Sequence, residues 1–319
     1  MTKIPVAAML VVTLAVAARA AFQSAATVAD AQKLFDAGKY QEVVNTLPSQ
    51  TIDNLSSQDR PKAYLLLGQS RARNEDADGA LGVLQLGVQL YPKDINLLSA
   101  LADLLHSQEL DDRAKPLYER VLRIHPNNSS AHLGLAEIEH SQGFLERSVR
   151  HYEQSLVEFS KNPAIWRSFA GVLSERRDYP KAVAAIEKSL SLEPNDALSL
   201  ESLALFQYRQ GLRREADETI RRAIAAAPLP PKLTELRLER ALWLLSGGQL
   251  DASLREAQDS LRDDPENPLA YWIRASVALR RGDRQAAARD LRQAGSKPSQ
   301  YPFIASISGA MLKQVEETP

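Results

Sequence analysis

Prolines recur on a comb of spacing 34 along this chain, at Pro92, Pro126, Pro194 and Pro228, with Ser160 standing where one is missing. A fixed period of this length means that one small supersecondary unit is stacked many times, so the fold is set by how each unit packs on the next. Small residues keep the same spacing. Ala102, Ala136, Ala170 and Ala204 form one column, and Ala80, Ala114, Ser148, Ala182 and Ala216 form a second. A small side chain at a helix crossing lets two axes approach closely, so the two columns mark the contact inside a helix-turn-helix unit.

The punctuation between the small columns agrees with helices. A proline lacks an amide hydrogen and clashes with the preceding turn, which ends the second helix of each unit. Two residues past each proline position stands a helix N-cap residue, Asp94, Asn128, Asn162 or Asp196, with Asn267 following Pro265. Such side chains accept hydrogen bonds from the free amides of the next helix. Pro163 and Pro268 then take the first helical position, where the missing donor costs nothing. Gly38, Gly143, Gly211, Gly248 and Gly282 fall at the turn inside the unit, where a positive φ is expected.

On these residues the chain resembles the tetratricopeptide-repeat (TPR) family, which has the same period and the same small, small, proline pattern. The resemblance implies an all-α, right-handed superhelical solenoid. Reading the comb outward gives about eight units, at 24–57 (degenerate), 61–94, 95–128, 129–162, 163–196, 197–230, 234–267 (degenerate) and 268–301. Short insertions separate the first two units near Arg60 and the sixth from the seventh in Pro228-Leu229-Pro230-Pro231-Lys232. Consecutive prolines prefer extended backbone, so the second insertion is expected to bend the stack. The large residue early in the first helix is Tyr64, Leu98, Trp166 and Tyr271, but His132 and Arg237 replace it elsewhere. Residues 302–319 supply a capping helix and tail, with Ile304, Ile307, Met311 and Leu312 expected to face the eighth unit.

Composition removes other classes. Apolar residues make up 44% and charged residues 25% of the 319-residue chain, which is ordinary for a folded protein. The net charge of -1 gives no global pull toward nucleic acid or anionic membrane. Cysteine is absent, which excludes disulfides, thiolate metal sites and cysteine nucleophiles. Residues 1–20 read as a secretory signal peptide: Lys3, an apolar run from Ile4 to Ala17, and the small-x-small site Ala18-Arg19-Ala20. Export to the periplasm or outside the cell is the expectation. A retained anchor is the alternative, although the run is shorter than the roughly 20 residues of a bilayer span. Membrane contact is expected only in that case.

In the family, the first helices of successive units line a concave groove that holds segments of partner proteins, and the resemblance implies such a groove here. His106 and His140 occupy the same place in consecutive units, with Asp103 and Glu137 three residues earlier on the same face. A metal site on this acidic-histidine ridge is set aside, because helix axes 8 to 10 Å apart hold such side chains too loosely. Peptide contact is the functional reading and a solvated surface the plain one. A second set, Arg73, Arg167, Tyr208, Arg209 and Trp272, with Lys62 and Arg280, has the residue types common at binding hot spots. Gln69, Asp103 and Glu137 stand where family members that clamp a C-terminal carboxylate carry asparagine, so a chaperone-tail receptor is not expected.

The late arginines lack a continuous stripe with stacking aromatics, so no nucleic-acid partner is expected; pairs such as Asp217 with Arg221 and Glu218 with Arg222 suggest a salt-bridged face. No nucleophile elbow, phosphate loop or zinc-protease helix occurs, and no cofactor is implied. The sequence therefore points to an exported, non-enzymatic scaffold or adaptor for protein or peptide partners, assisting an envelope or secreted complex. A membrane-anchored assembly factor is the alternative, and a metal-binding or hydrolytic protein a more distant one.

Overall fold

The computed structural model describes residues 27–48, 52–227, 229–296 and 302–317. The segment 1–20 read as a signal peptide, and Pro228 of the comb, lie outside them. Among the described residues every regular element is a helix, and none is long and apolar enough to cross a membrane.

The chain divides into two compact units, residues 1–159 and 160–319. The first contains α1 (27–36), α2 (Tyr40–Thr46), α3 (Arg60–Arg73), α4 (Ala77–Leu90), α5 (Ile95–Ser107), α6 (Asp111–Ile124), α7 (Ser129–Ser141) and α8 (Leu145–Phe159). The second contains α9 (Pro163–Glu175), α10 (Tyr179–Leu192), α11 (Ala197–Arg209), α12 (Arg213–Ala226), α13 (Pro230–Ser246), α14 (Leu250–Asp263), α15 (Pro268–Arg280), α16 (Arg284–Ser296) and α17 (Pro302–Glu317).

Five of the first helices start where the sequence supplies a side-chain cap. Asp94 accepts from the amides of Asn96 and Leu97, both at 3.0 Å, and Asn128 accepts from Ala131 at 2.8 Å. Asn162, Asp196 and Asn267 cap α9, α11 and α15 in the same way. The two small columns meet at the crossing. Ala102, Ala136, Ala170 and Ala204 are fully buried, as are Ala80, Ala114, Ser148, Ala182 and Ala216. Where the second column holds serine the crossing gains a hydrogen bond, from Ser148 Oγ to the Ala136 carbonyl at 2.7 Å and from Ser253 Oγ to the Ala241 carbonyl at 2.8 Å.

The turn between the helices of a pair is left-handed at Gly38, Gly143, Gly211, Gly248 and Gly282, with φ between 73° and 81°. Three further pairs make the same turn with a side chain, at Glu75, Glu109 and Arg177, where φ is 60° to 63°. A β-carbon in this region costs roughly 1 kcal/mol, and the packed helices on either side hold it there.

In three pairs the large position early in the first helix has a shared polar role. His132 Nε2, Trp166 Nε1 and Tyr271 Oη lie 2.9, 2.8 and 3.0 Å from the carbonyl six residues earlier, those of Pro126, Ser160 and Pro265. Arg237 departs from this pattern and reaches across to Asp263 of α14 at 2.6 Å.

Two expectations fail. Pro230 and Pro231 do not form an extended linker: Leu229 is extended, and the two prolines open α13, which runs 17 residues against 13 for α9, α11 and α15. Proline fits the first turn of a helix, so the insertion is absorbed as an added N-terminal turn. In α17, Ile304 is 2% exposed and packs inward, but Ile307 is 41% exposed and Ser308 is the fully buried residue beside it. The helix is therefore rotated about its axis from the expected register, leaving Phe303 and Ile307 on an open face.

Within each unit the first helices pack on their own second helices, and several also pack on the next first helix, as α3 with α5, α5 with α7, α9 with α11, α13 with α15 and α15 with α17; among the described residues no second helices meet to a comparable extent. The first helices therefore form the tighter, inner side.

Candidate functional site

Side chains on the inner side decide what each unit can hold. In the first unit a cavity of about 390 Å³ is lined by Phe35, Gln69, Arg73, Leu84, Asp103 and Leu104, among others. Its acidic member is already engaged. Tyr118 Oη donates to Asp103 Oδ1 at 2.6 Å, while burial pushes the Asp103 carboxyl up, against the lowering effect of that bond and of His106. His106 stands between two carboxylates, with Nδ1 2.6 Å from Asp111 and Nε2 3.4 Å from Glu137. Burial likewise raises Glu137, and His106 opposes it.

The structure thus brings Asp103, His106 and Glu137 together, and adds Asp111 and Tyr118 from α6, which the sequence did not nominate. His140 lies half-buried at the end of α7. The ridge is a knitted internal network that ties α5, α6 and α7. Among the described residues no group of three or more histidines and carboxylates could hold a metal.

A neighbouring polar cluster is more deeply set. His132 Nδ1 and His151 Nδ1 lie 2.8 Å apart, and His151 Nε2 is 3.6 Å from Glu139. His132 Nε2 faces the Pro126 carbonyl, so in the neutral ring the proton is there and Nδ1 accepts from His151. Burial lowers the His151 pKa, with Glu139 pulling the other way.

In the second unit the nominated residues divide. Arg167 Nη1 donates to the N-cap Asp196 at 2.6 Å, so it braces the start of α11. Tyr208 stacks on Trp243 at 4.6 Å between ring centres, and its hydroxyl meets Ser246 Oγ at 2.8 Å, which fixes α11 against α13. Arg280 donates to the Leu245 carbonyl. Asp217 pairs with Arg221 at 3.0 Å as the spacing suggested, but Glu218 and Arg222 form no ion pair among the described residues. Arg209 is exposed at the end of α11, and Arg73 is exposed in the first unit.

Trp272 belongs to a different feature. It lines a cavity of about 540 Å³ on the inner side, together with Leu238, Leu242, Leu269, Glu239 and the open face of α17. Phe303 and Ile307, 56% and 41% exposed, form one wall. The added turn of α13 brings Lys232 to the rim, where its ammonium lies 2.7 Å from Glu201 and 3.2 Å from Glu235. Burial pulls the Lys232 pKa down, but its bonds with the two carboxylates outweigh that and leave it raised.

Glu239 sits deeper and makes no hydrogen bond or ion pair among the described residues. Burial pushes its carboxyl up to about 7; Glu201 and Glu235 add to the rise, and Lys232 and Arg209 oppose it. Sequence reasoning missed Glu239, yet a signal existed. Once the insertion is allowed for, it shares a column with Ala29, Leu66, Ala100, Gly134, Ser168, Ser202 and Ile273. A carboxylate in an otherwise small or apolar column is an anomaly that the comb makes visible.

A family model for the tetratricopeptide repeat matches residues 100–163 and 238–301. These segments carry tetratricopeptide repeats, and the described chain has the fold of a tetratricopeptide-repeat protein. Two solved TPR structures extend the agreement. The C-terminal part of a TPR repeat-containing protein from Cytophaga hutchinsonii is 15% identical with a TM-score of 0.61, covering 77% of this chain and 98% of that one. A tetratricopeptide repeat protein from Parabacteroides merdae is 16% identical with a TM-score of 0.55, covering 81% and 99%. At these identities the likeness shows the TPR fold alone.

Among curated relatives, BBSome complex member BBS4 of Bos taurus is 20% identical over 244 residues, or 76% of this chain. A TPR repeat-containing thioredoxin of Arabidopsis thaliana is 32% identical over 108 residues, or 34% of this chain. The chain spans 46% of the first relative's length and 15% of the second's. TPR units make a protein-interaction scaffold, a fold that is in general not catalytic.

Proposed function

We propose that this TPR protein is an exported scaffold that holds segments of partner proteins against its inner helices, with the cavity over α11, α13, α15 and α17 as the principal site. One observation carries the choice of site: Ile307 of the capping helix is 41% exposed on the cavity wall beside Trp272 and Leu242 instead of packing inward. Apolar surface of this kind, rimmed by charged groups, is what a partner covers. The acidic-histidine ridge is a weaker candidate, because Asp103, His106 and Glu137 already satisfy one another and their neighbours.

Export rests on the N-terminal sequence, and assistance to an envelope or secreted complex rests on export together with a scaffold fold. The relative described as a complex member is in keeping with such a role. Affinity capture from the native cells tests the site. Ile307→Glu places a charge on the open face without touching the packed side of α17, and the captured partners should be lost. An unchanged set would rule the cavity out. Intact mass of the exported protein tests the other half: cleavage removes about 2 kDa, whereas a retained anchor leaves the full mass.

A further inference from the structure

The cavity in the second unit combines two chemistries. Its floor and one wall are apolar, from Leu238, Leu242, Leu269, Trp272, Phe303 and Ile307. Its rim is acidic, and the acids are unequal. Glu201 and Glu235 share the Lys232 ammonium at 2.7 and 3.2 Å, which leaves that cation fully used. Glu239 has no such partner, and its oxygens are not sealed off, so they face the space a ligand would fill. Three carboxylates against one ammonium give the rim a negative excess. Arg209 stands at the exposed end of α11.

A neutral apolar segment would cover Phe303 and Ile307 but bury Glu239 without a counter-charge, which is costly. An anionic one would add a fourth negative charge. A segment that carries an ammonium or guanidinium beside its apolar group satisfies both parts of the site, as charge complementarity at an interface requires. We propose that this cavity takes a partner segment presenting an apolar side chain next to a lysine or arginine, the apolar group resting on Trp272 and Ile307 and the cation pairing with Glu239. The proposal rests on the reading of this groove as a partner site and names the chemistry of what enters it.

Proton linkage gives the pairing its own signature. Burial pushes the empty-cavity Glu239 carboxyl up to about 7, with Glu201 and Glu235 adding and Lys232 and Arg209 opposing. The helices α15 and α17 contribute only apolar groups to the cavity, namely Leu269, Trp272, Phe303, Ile304 and Ile307. An arriving cation favours the carboxylate, so binding near neutral pH expels a proton from Glu239 into the buffer.

The test uses the full chain and three short amphipathic peptides with one leucine pattern and lysine, glutamine or glutamate at the polar positions. Above about pH 8 the lysine peptide should bind about tenfold more tightly than the glutamate peptide, a difference that shrinks below about pH 6. Calorimetry near neutrality, in buffers of different ionisation enthalpy, should show proton release with the lysine peptide. Glu239→Gln should remove both the preference and the proton release, while Glu218→Gln, on the exposed face of α12, should change neither. Equal binding of the three peptides, a preference for glutamate, no binding at all, or a preference that survives Glu239→Gln would each overturn the proposal. Capture of native partners that is lost in Ile307→Glu but indifferent to Glu239→Gln would leave the groove as a partner site and remove only its cationic anchor.

Discussion

Glu239→Gln is the most informative single change for stability, because it removes a charge and keeps the shape. The native carboxyl is raised from the ordinary glutamate value of 4.5 to about 7. A group whose folded pKa lies above its unfolded value contributes stability below the unfolded value and loses it as pH rises through the folded one. Between about pH 5 and pH 8.5 the native protein therefore surrenders stability that the glutamine variant retains. The full shift corresponds to about 3 kcal/mol, and water in the open cavity reduces this to about 1–2 kcal/mol. For a unit of this size that is a difference of roughly 3–6 °C in melting temperature. Urea denaturation followed by helical circular dichroism, on both proteins at both pH values, measures it. The two should be close at the lower pH, and the variant should be the more stable at the higher. Parallel pH dependence would refute the account of Glu239 as an unpaired, half-buried carboxyl.

Three further outcomes follow from packing. Gly134→Ala places a β-carbon closer than 3.0 Å to the buried Tyr118 ring, whereas at Gly171 the space is open. The first should cost about 1–3 kcal/mol and the second should gain up to about 1 kcal/mol, measured by the same denaturation assay. Tyr118→Phe removes the hydroxyl that holds Asp103, so stability should fall by about 1–3 kcal/mol and the Asp103 carboxyl should titrate still higher by NMR. Glu75→Gly, Glu109→Gly and Arg177→Gly should each stabilise by roughly 0.5–1 kcal/mol, since these residues hold the left-handed turn with a side chain.

How far the sequence reaches depends on whether a feature repeats. The caps at Asp94, Asn128, Asn162, Asp196 and Asn267, the small columns and the glycine turns are local devices used unit after unit, so the spacing exposes each of them. The left-handed Glu75, Glu109 and Arg177 were not legible as residue types; only their place on the comb betrays them. Arg167 and Tyr208 have the residue types of hot spots, but partners at or beyond the next helix start, Asp196, Trp243 and Ser246, turn them to structural use. The acidic-histidine ridge was seen from one face only, and α6 supplies the Tyr118 and Asp111 contacts that complete it.

Ser308 is the fully buried residue of α17, which packs along α16, so the register is set across the helix pair. A pattern of apolar residues within one helix does not reveal this. At Pro230 and Pro231 the preference for extended backbone yields to the fitness of proline for a first helical turn. That added turn is what carries Lys232 to Glu201 and shapes the rim of the cavity.

The claim that the inner face of the second unit receives partners is tested most directly by site-specific photo-crosslinking in the native cells. A photoreactive residue at Leu242 or Ile307, inside the cavity, should yield discrete crosslinked partners. The same residue at Glu187 on α10 or Arg222 on α12, both exposed second-helix positions, should not. Equal crosslinking from both faces, or partners captured only from α10 and α12, would contradict it.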